Sequence, residues 1–397
     1  MLVGAFKALI ERSSIDPALV EDIAVGSVLP PGGGATEFRA AAIAAGFPVS
    51  AAVKSLNRQC SSGLQACVDI ANAIRAGMIE VGVGAGVESM SLQYGYVLAS
   101  SLLLLPPLTL VSYSFISSRE VRWVLMRLKY HSPDAVTEFS ELLDSHAESK
   151  NCKVPMGILS EQMAKDRNIP RTAQDAFAAT SYQKALRAQE TGLFDQEIAP
   201  LTVKWEDPKT GDVKEITVSK DDGVRPGITA ESLSKIRPAF AKDGSIHAGN
   251  ASQISDGAAA VLLMKRSTAQ RLGQPILGKY VAASIVGVAP LLMGIGPWAA
   301  IPKVFAKAGI AKEDVDIFEI NEAFASQCVW CANELGLDYS KINPKGGAIA
   351  IGHPLGCTGA RQVSTLLYEL RRRGERVGVT SMCVGTGMGM AAVWVAE

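Results

Sequence analysis

Two cysteines and a histidine lie in segments whose neighbours suit catalysis. Cys60 lies in NRQCSSG, His353 in GHPLG and Cys383 in SMCVGTG. A nucleophilic thiol, an imidazole that activates it and a second thiol that moves a proton are the groups needed for Claisen chemistry on thioesters. Flanking glycines permit tight loops with positive φ, in which backbone N–H groups can point at a developing oxyanion. These glycines are Gly63, Gly352, Gly356, Gly385 and Gly387.

The surroundings of Cys60 distinguish it from a structural cysteine. It precedes a helix predicted over 61–76, whose free N–H groups favour the thiolate and should lower the pKa of the thiol. The polar flanking residues also argue against a dry core site. Cys67 falls on the apolar stripe of that helix and is predicted to be a core residue. Cys357 has a neighbourhood similar to that of Cys383 and stays an alternative second thiol.

Asn321 is a further candidate because it follows an apolar strand predicted over 315–320. Its amide could orient a water or bind a carbonyl group. It could also be a simple cap for the helix predicted to begin at Glu322. The sequence leaves both interpretations open.

Strand and helix signals alternate over the first 92 residues and again after about residue 276. Such alternation predicts a mostly parallel sheet covered by helices. Because the two halves are alike in layout, we expect a duplicated α/β/α/β/α sandwich. The predicted domains are 1–268 and 275–397, with a long excursion over about 93–218 inside the first. That excursion includes a helix predicted over 172–190.

Composition narrows the class of protein. The chain has 397 residues, 48% of them hydrophobic, and 37 glycines, which is typical of a soluble, loop-rich α/β enzyme. Basic and acidic residues balance at 39 each, so no electrostatic argument favours nucleic acid. The seven cysteines include the pair Cys328 and Cys331, but no second pair or histidine cluster accompanies it. We therefore expect reduced thiols in an intracellular compartment and no metal site.

Several segments occur in the same order as in the thiolase family, which the chain resembles over roughly 2–90 and 151–397. The resemblance is strongest to the peroxisomal 3-ketoacyl-CoA subfamily of plant or green-lineage type. The matching segments are Asn57–Gly63, Gly84–Met90, Val154–Gly157, Ala248–Ser252, Asp256–Ala260, Asn321–Phe324, Gly352–Gly359 and Ser381–Gly389. The resemblance implies a five-layered α/β/α/β/α fold and thiolytic cleavage of 3-ketoacyl-CoA to acetyl-CoA and a shortened acyl-CoA in fatty acid β-oxidation.

The resemblance also implies a role for each reactive residue. Cys60 would carry the acyl group as a thioester, and His353 would take its proton. Cys383 would protonate the departing acetyl-CoA enolate. Asn321 would hold a water that forms one oxyanion hole with His353, and the N–H groups of Cys60 and Gly385 would form the other.

Four residues would contact coenzyme A by the same resemblance: Arg225, Ser252, Met156 and Phe324. Coenzyme A and acyl-CoA would be substrates, with no permanently bound cofactor. A homodimer in the peroxisome is implied, although no targeting signal is readable in the chain.

Two departures from the family pattern lead to further expectations. Members of the family begin with a strand that precedes the helix with which this chain opens. We expect that strand to belong in the middle of the first sheet, where the loss of the strand would leave buried backbone groups unpaired. Residues 89–118 contain no charged residue, and this stretch is long enough to span a membrane. Paired prolines and several serines interrupt it, so no membrane span is expected. A translated intron or misjoined exon is the favoured origin of Gln93–Val136, with a genuine insertion as the alternative.

These departures leave alternatives to a degradative thiolase. The chain could be an inactive or truncated variant that acts only as a dimerisation partner, or a biosynthetic thiolase that forms acetoacetyl-CoA. A ketoacyl synthase would pair its cysteine with two histidines or with a histidine and an asparagine, and the second thiol at Cys383 argues against it.

Overall fold

Helices and strands alternate along most of the chain in the computed structural model, which describes residues 1–91, 145–206 and 210–397. Nearly all of the uncharged stretch, and all of Gln93–Val136, lies outside the described residues. The helices are α1 (Leu2–Ser13), α2 (Ala35–Ala45), α3 (Ser62–Arg75), α4 (Ala147–Asn151), α5 (Met156–Asp166), α6 (Arg171–Glu190), α7 (Ala230–Ser234), α8 (Arg266–Arg271), α9 (Gly296–Ala308), α10 (Ala325–Leu335), α11 (Ala348–Ile351) and α12 (Leu355–Arg373). The strands are β1 (Asp22–Gly26), β2 (Ala52–Leu56), β3 (Val81–Ser89), β4 (Leu201–Glu206), β5 (Val213–Val218), β6 (Asp256–Met264), β7 (Gly278–Gly287), β8 (Ile317–Ile320), β9 (Val377–Val384) and β10 (Met388–Ala396).

The two four-stranded sheets share a three-stranded unit, in which two parallel strands are followed by an antiparallel one. The first has the order β2-β1-β3-β6, with β1 parallel to β2 and β3, and β6 antiparallel to β3. The second has the order β7-β10-β9-β8, with β8 parallel to β9 and β10 antiparallel to β9 and β7. Each sheet therefore ends its parallel part in an antiparallel strand. The sequence predicted the duplication but not this change of direction, and the second sheet is mostly antiparallel rather than mostly parallel. Strands β4 and β5 form a separate hairpin.

Apolar clusters hold five layers together. Helices α1 and α2 cover the outer face of the first sheet, where Phe6 is fully buried. Helices α3 and α12 lie between the sheets and pack through residues such as Leu64 and Leu366. Helices α9 and α10 cover the second sheet, with Ile301 packed in the same cluster as Phe318. The predicted α/β/α/β/α sandwich is confirmed.

The expectation that a further strand belongs in the middle of the first sheet was wrong. This sheet has no gap in its middle, since β1 pairs on both sides and β3 pairs with β6. The repeat explains the difference. In the second sheet the first strand, β7, pairs at the outer edge with β10, so the equivalent position in the first sheet is the outer edge of β6. An edge strand can present its backbone groups to solvent.

Most predicted elements are confirmed, and the differences have local causes. The helix predicted over 172–190 is α6. Strand β6 was not predicted, because its alanine-rich sequence lacks a period-two pattern. Helix α10 begins at Ala325 rather than at Glu322. The Glu322 carboxylate instead accepts hydrogen bonds from the Ser181 hydroxyl at 2.6 Å and the Asn343 amide at 2.8 Å, which fixes that residue outside the helix.

The two central helices touch through their backbones. A Cβ atom on Gly63 would lie 2.6 Å from the Gly356 carbonyl oxygen, and one on Gly359 would lie 2.2 Å from the Leu64 nitrogen. Positive φ angles occur at Gly352 and Gly387, as expected, but not at Gly63, Gly356 or Gly385. At the helix contact, glycine is required for close approach rather than for an unusual φ.

We predict that Gly359→Ala destabilises the protein, because the added methyl group would overlap backbone atoms of α3. Overpacking of this kind costs about 1–3 kcal/mol, more than the ~1 kcal/mol that alanine gains in a helix. Thermal or chemical unfolding measures the change. Gly287→Ala is the matched control, because no atom lies within 4 Å of its Cβ position and its φ is not positive. Equal unfolding midpoints for the two variants would contradict the packing argument.

Candidate active site

A tight turn presents Cys60 at the start of α3. The Arg58 N–H donates to the Ser62 hydroxyl at 2.9 Å, and that hydroxyl donates to the Gln59 carbonyl at 2.7 Å. Gln59 has a φ of 48°, an uncommon left-handed conformation for a residue with a side chain. Such strain persists only where the surroundings impose it. Cys60 itself is only 4% exposed.

His353 is held at both ring nitrogens. Its Nδ1 lies 2.6 Å from the Thr358 hydroxyl oxygen, and its Nε2 lies 3.2 Å from the Asn321 side-chain nitrogen. Its backbone N–H donates to the Gln253 carbonyl and the Ser255 hydroxyl, both at 3.0 Å. The imidazole is therefore buried and fixed in orientation before any substrate arrives.

Asn321 does not cap a helix. It follows β8, and its backbone N–H donates to the Ser381 carbonyl of β9 at 2.9 Å. Helix α10 starts four residues later and is preceded by Phe324. The Asn321 Oδ1 atom is buried and accepts no hydrogen bond from a described residue, so it is available to a water or a substrate. Of the two interpretations that the sequence left open, the structure supports the polar contact.

Cys383, rather than Cys357, shares the surroundings of Cys60. Cys383 is buried on β9, where its thiol faces the Gln327 side-chain oxygen at 3.7 Å. A negative charge on Cys60 would raise the pKa of Cys383, whose thiol is already kept neutral by burial. The Cys357 side chain instead faces Gly257 of the first sheet. The structure therefore places Cys383 within electrostatic reach of Cys60, and it joins His353 to Asn321 by a hydrogen bond.

Burial sets the protonation states of the reactive pair. It raises the pKa of Cys60 to about 11, although the N–H groups of Gly385 and of Cys60 itself oppose the shift. The sequence-based expectation of a lowered pKa was wrong, because desolvation outweighs the helix N-terminus. Burial also lowers the pKa of His353 to about 3, with a further contribution from the Arg361 charge. The resting pair is therefore a neutral thiol and a neutral imidazole.

Glu88 has a structural role that the sequence did not reveal. Its carboxylate is almost fully buried and accepts hydrogen bonds from the backbone N–H groups of Val28, Leu29 and Gly356 at 3.0, 3.1 and 2.9 Å. These bonds join the end of β3 to the loop after β1 and to the first turn of α12. The signal in the sequence was a carboxylate directly after an apolar strand.

Three of the predicted coenzyme A contacts lie beside Cys383. Met156 and Phe324 pack in the same apolar cluster as Cys383. The Ser252 backbone N–H donates to the Ala323 carbonyl at 3.0 Å, which places it next to Phe324. Met156 and Phe324 therefore pack around the second thiol, and Ser252 lies next to Phe324.

Arg225 lies further out and is exposed. Its segment contacts the site through Gln253, whose side-chain N–H donates to the Gly223 carbonyl at 3.0 Å. The Gln253 carbonyl in turn accepts from the His353 N–H. The structure thus connects Arg225 to the histidine loop without placing it beside a thiol.

Comparison with known proteins identifies the family. Family models described as "Thiolase, N-terminal domain" and "Thiolase, C-terminal domain" match residues 1–267 and 274–396. The chain belongs to the thiolase family. It is 53% identical to the peroxisomal 3-ketoacyl-CoA thiolase of Yarrowia lipolytica, over 100% of the chain and 87% of that protein. It is 49% identical to peroxisomal 3-ketoacyl-CoA thiolase 2 of Arabidopsis thaliana, over 99% of the chain and 78% of that protein.

Solved thiolase structures agree with this assignment. The dimeric peroxisomal thiolase of Saccharomyces cerevisiae superposes with a TM-score of 0.82 at 46% identity, covering 100% of this chain and 90% of that one. Another structure of the same yeast enzyme, described as five-layered with two core domains of identical topology, gives a TM-score of 0.73 at 40% identity, covering 100% and 90% of the two chains.

Neither a metal centre nor a membrane span occurs in the part of this thiolase that the structure describes. There, no group of three or more histidine, cysteine or acidic side chains is arranged to hold a metal ion. No described helix combines the length and the apolar character needed to cross a bilayer.

We predict that alkylation of Cys60 in the free thiolase accelerates with pH without reaching a plateau near neutrality. The thiolate is the reactive form, and below a pKa of about 11 its fraction rises about tenfold per pH unit. Iodoacetamide labelling followed by peptide mass analysis measures the rate at Cys60 alone. A plateau below about pH 8 would show a stabilised thiolate and contradict the neutral pair.

Proposed function

We propose that this thiolase is an acetyl-CoA C-acyltransferase, which cleaves 3-ketoacyl-CoA with coenzyme A in fatty acid β-oxidation. The observation that carries the proposal is a pair of buried thiols, Cys60 and Cys383, within electrostatic reach of each other, together with a buried imidazole that hydrogen bonds orient. A single thiol and a base suffice for acyl transfer, but cleavage of a carbon–carbon bond also requires a group that protonates the departing carbanion. Cys383 is the group available for that task.

In the first half-reaction, His353 Nε2 accepts the proton of Cys60 as the sulfur attacks the 3-keto carbon. The N–H groups of Cys60 and Gly385, which already lie beside the sulfur, stabilise the resulting oxyanion. Collapse of this intermediate breaks the bond between the α- and β-carbons and leaves the shortened acyl group on Cys60. The acetyl-CoA enolate leaves and takes its proton from the Cys383 thiol.

In the second half-reaction, the Cys383 thiolate accepts the proton of an incoming coenzyme A thiol. The coenzyme A sulfur attacks the thioester carbonyl, whose oxyanion is again stabilised by the N–H groups of Cys60 and Gly385. Asn321 with its water and His353 instead stabilise the enolate oxygen of acetyl-CoA in the first half-reaction. Cys60 leaves as a thiolate and recovers its proton from His353. Cys60, His353 and Cys383 all return to the neutral state that burial favours.

We infer that coenzyme A enters past Met156 and Phe324, whose apolar side chains suit the pantetheine chain. Ser252 offers a polar contact beside them, and Arg225 offers a positive charge to the phosphates at the exposed end. Acyl-CoA and coenzyme A are substrates in this scheme and no resident cofactor takes part. The two thiolase domains are proposed to span 1–268 and 275–397.

We also propose a homodimer in the peroxisome. The proposal is supported by the names of the similar proteins, which are peroxisomal 3-ketoacyl-CoA thiolases, and by the dimeric yeast structure. The alternatives of an inactive dimerisation partner and of a biosynthetic acetoacetyl-CoA thiolase are not favoured. Cys60, His353 and Cys383 are each buried, Cys60 lies within electrostatic reach of Cys383, and the similar proteins are named for 3-ketoacyl-CoA.

We predict that Cys60→Ala lowers the kcat for thiolysis of 3-ketoacyl-CoA by about 10⁴-fold or more, because no nucleophile remains to carry the acyl group. Loss of the 3-ketoacyl-CoA absorbance upon addition of coenzyme A measures the rate. Cys67→Ala removes a fully buried thiol from the adjacent helix α3 and should keep wild-type kcat. A Cys60→Ala variant as active as Cys67→Ala would overturn the proposed role, and a wild-type protein without thiolysis would overturn the function.

A further inference from the structure

Thr358 lies in the first turn of α12, where its side chain contacts the candidate base. Its hydroxyl oxygen is 2.6 Å from His353 Nδ1 and 3.1 Å from the Pro354 carbonyl oxygen. The threonine is almost fully buried, so water does not compete for these contacts. No feature of the sequence marks Thr358 as a partner of His353, although it lies five residues after the histidine.

The donor and the acceptor in each of these hydrogen bonds can be assigned by counting the available protons. A threonine hydroxyl has one proton, and a carbonyl oxygen can only accept, so the contact to Pro354 makes Thr358 the donor there. The hydroxyl then accepts from His353, which places a proton on Nδ1. Nε2 is left without a proton, and it faces the N–H of the Asn321 amide at 3.2 Å. The hydrogen bonds therefore run in one direction, from Asn321 to His353, from His353 to Thr358 and from Thr358 to the Pro354 carbonyl.

We propose that Thr358 is the positioning residue that fixes the His353 tautomer, with the proton on Nδ1 and the lone pair of Nε2 directed to the catalytic side. The consequence for catalysis rests on the proposed thiolase function. If the proton were on Nε2, two donors would face each other at Asn321, and the imidazole could not accept the proton of Cys60. After proton transfer the Nδ1–H bond becomes charge-assisted, which stabilises the imidazolium that burial otherwise disfavours.

The test compares three variants of the full-length protein. Thr358→Val keeps the branched shape but removes the hydroxyl, and Thr358→Ser keeps the hydroxyl. Thr365→Val is the matched control, since Thr365 is buried on the same helix and its hydroxyl has no partner among the described residues. Histidine labelled with isotopic nitrogen reports the tautomer by NMR, and loss of a signal in His353→Gln assigns the resonance.

The wild type, Thr358→Ser and Thr365→Val should show the Nδ1–H tautomer and similar kcat. Thr358→Val should lose that pure tautomer and lower kcat about ten- to hundredfold, with little change in the KM for coenzyme A. A wild-type His353 with its proton on Nε2 would overturn the proposal even if Thr358→Val does not fold. So would an unchanged tautomer and kcat in a folded Thr358→Val. Because the NMR readout needs no turnover, absence of thiolysis in the wild type would count against the proposed function alone.

Discussion

The backbone contact between α3 and α12 is the constraint on which the site depends. Cys60 ends the turn before α3, and His353 ends the loop before α12, so the distance between nucleophile and base is set by how closely the two helices approach. Glycine at 63 and 359 permits an approach that any side chain would prevent. Glu88 then fixes the first turn of α12 by accepting the Gly356 N–H from the end of β3. The chemistry is thus built on the central layer of the sandwich.

Burial is the second determinant of the site, because it disfavours the charged forms of the reactive side chains. The central layer removes both reactive groups from water, so the Cys60 thiol and the His353 imidazole are each stabilised in the neutral form. A neutral pair forms charge only when the substrate supplies an oxyanion that the Gly385 N–H can stabilise. This arrangement protects the resting thiol from reaction with other electrophiles, since the thiolate is the nucleophilic form.

Local sequence was sufficient for the parts that depend on local chemistry. The alternation of elements predicted the duplicated sandwich, and the polar or glycine-rich neighbours of Cys60, His353 and Cys383 are the basis of their proposed reactive roles. The contacts of Thr358 and Glu88 could not be predicted, because each depends on which segments the fold brings together. The prediction of a lowered pKa for Cys60 failed because it, too, depends on how the fold packs. A helix N-terminus is visible in sequence, whereas the burial that outweighs it is a property of the packed layers.

The central claim is that the acyl group passes through Cys60, and trapping the intermediate tests it most directly. The protein is mixed with a 3-ketoacyl-CoA in the absence of free coenzyme A, quenched in acid, digested and mapped by mass spectrometry. The account predicts the shortened acyl group on the peptide that contains Cys60, together with released acetyl-CoA. An acyl group on the peptide that contains Cys383 or Cys357, or release of acetyl-CoA with no acylated peptide, would contradict it.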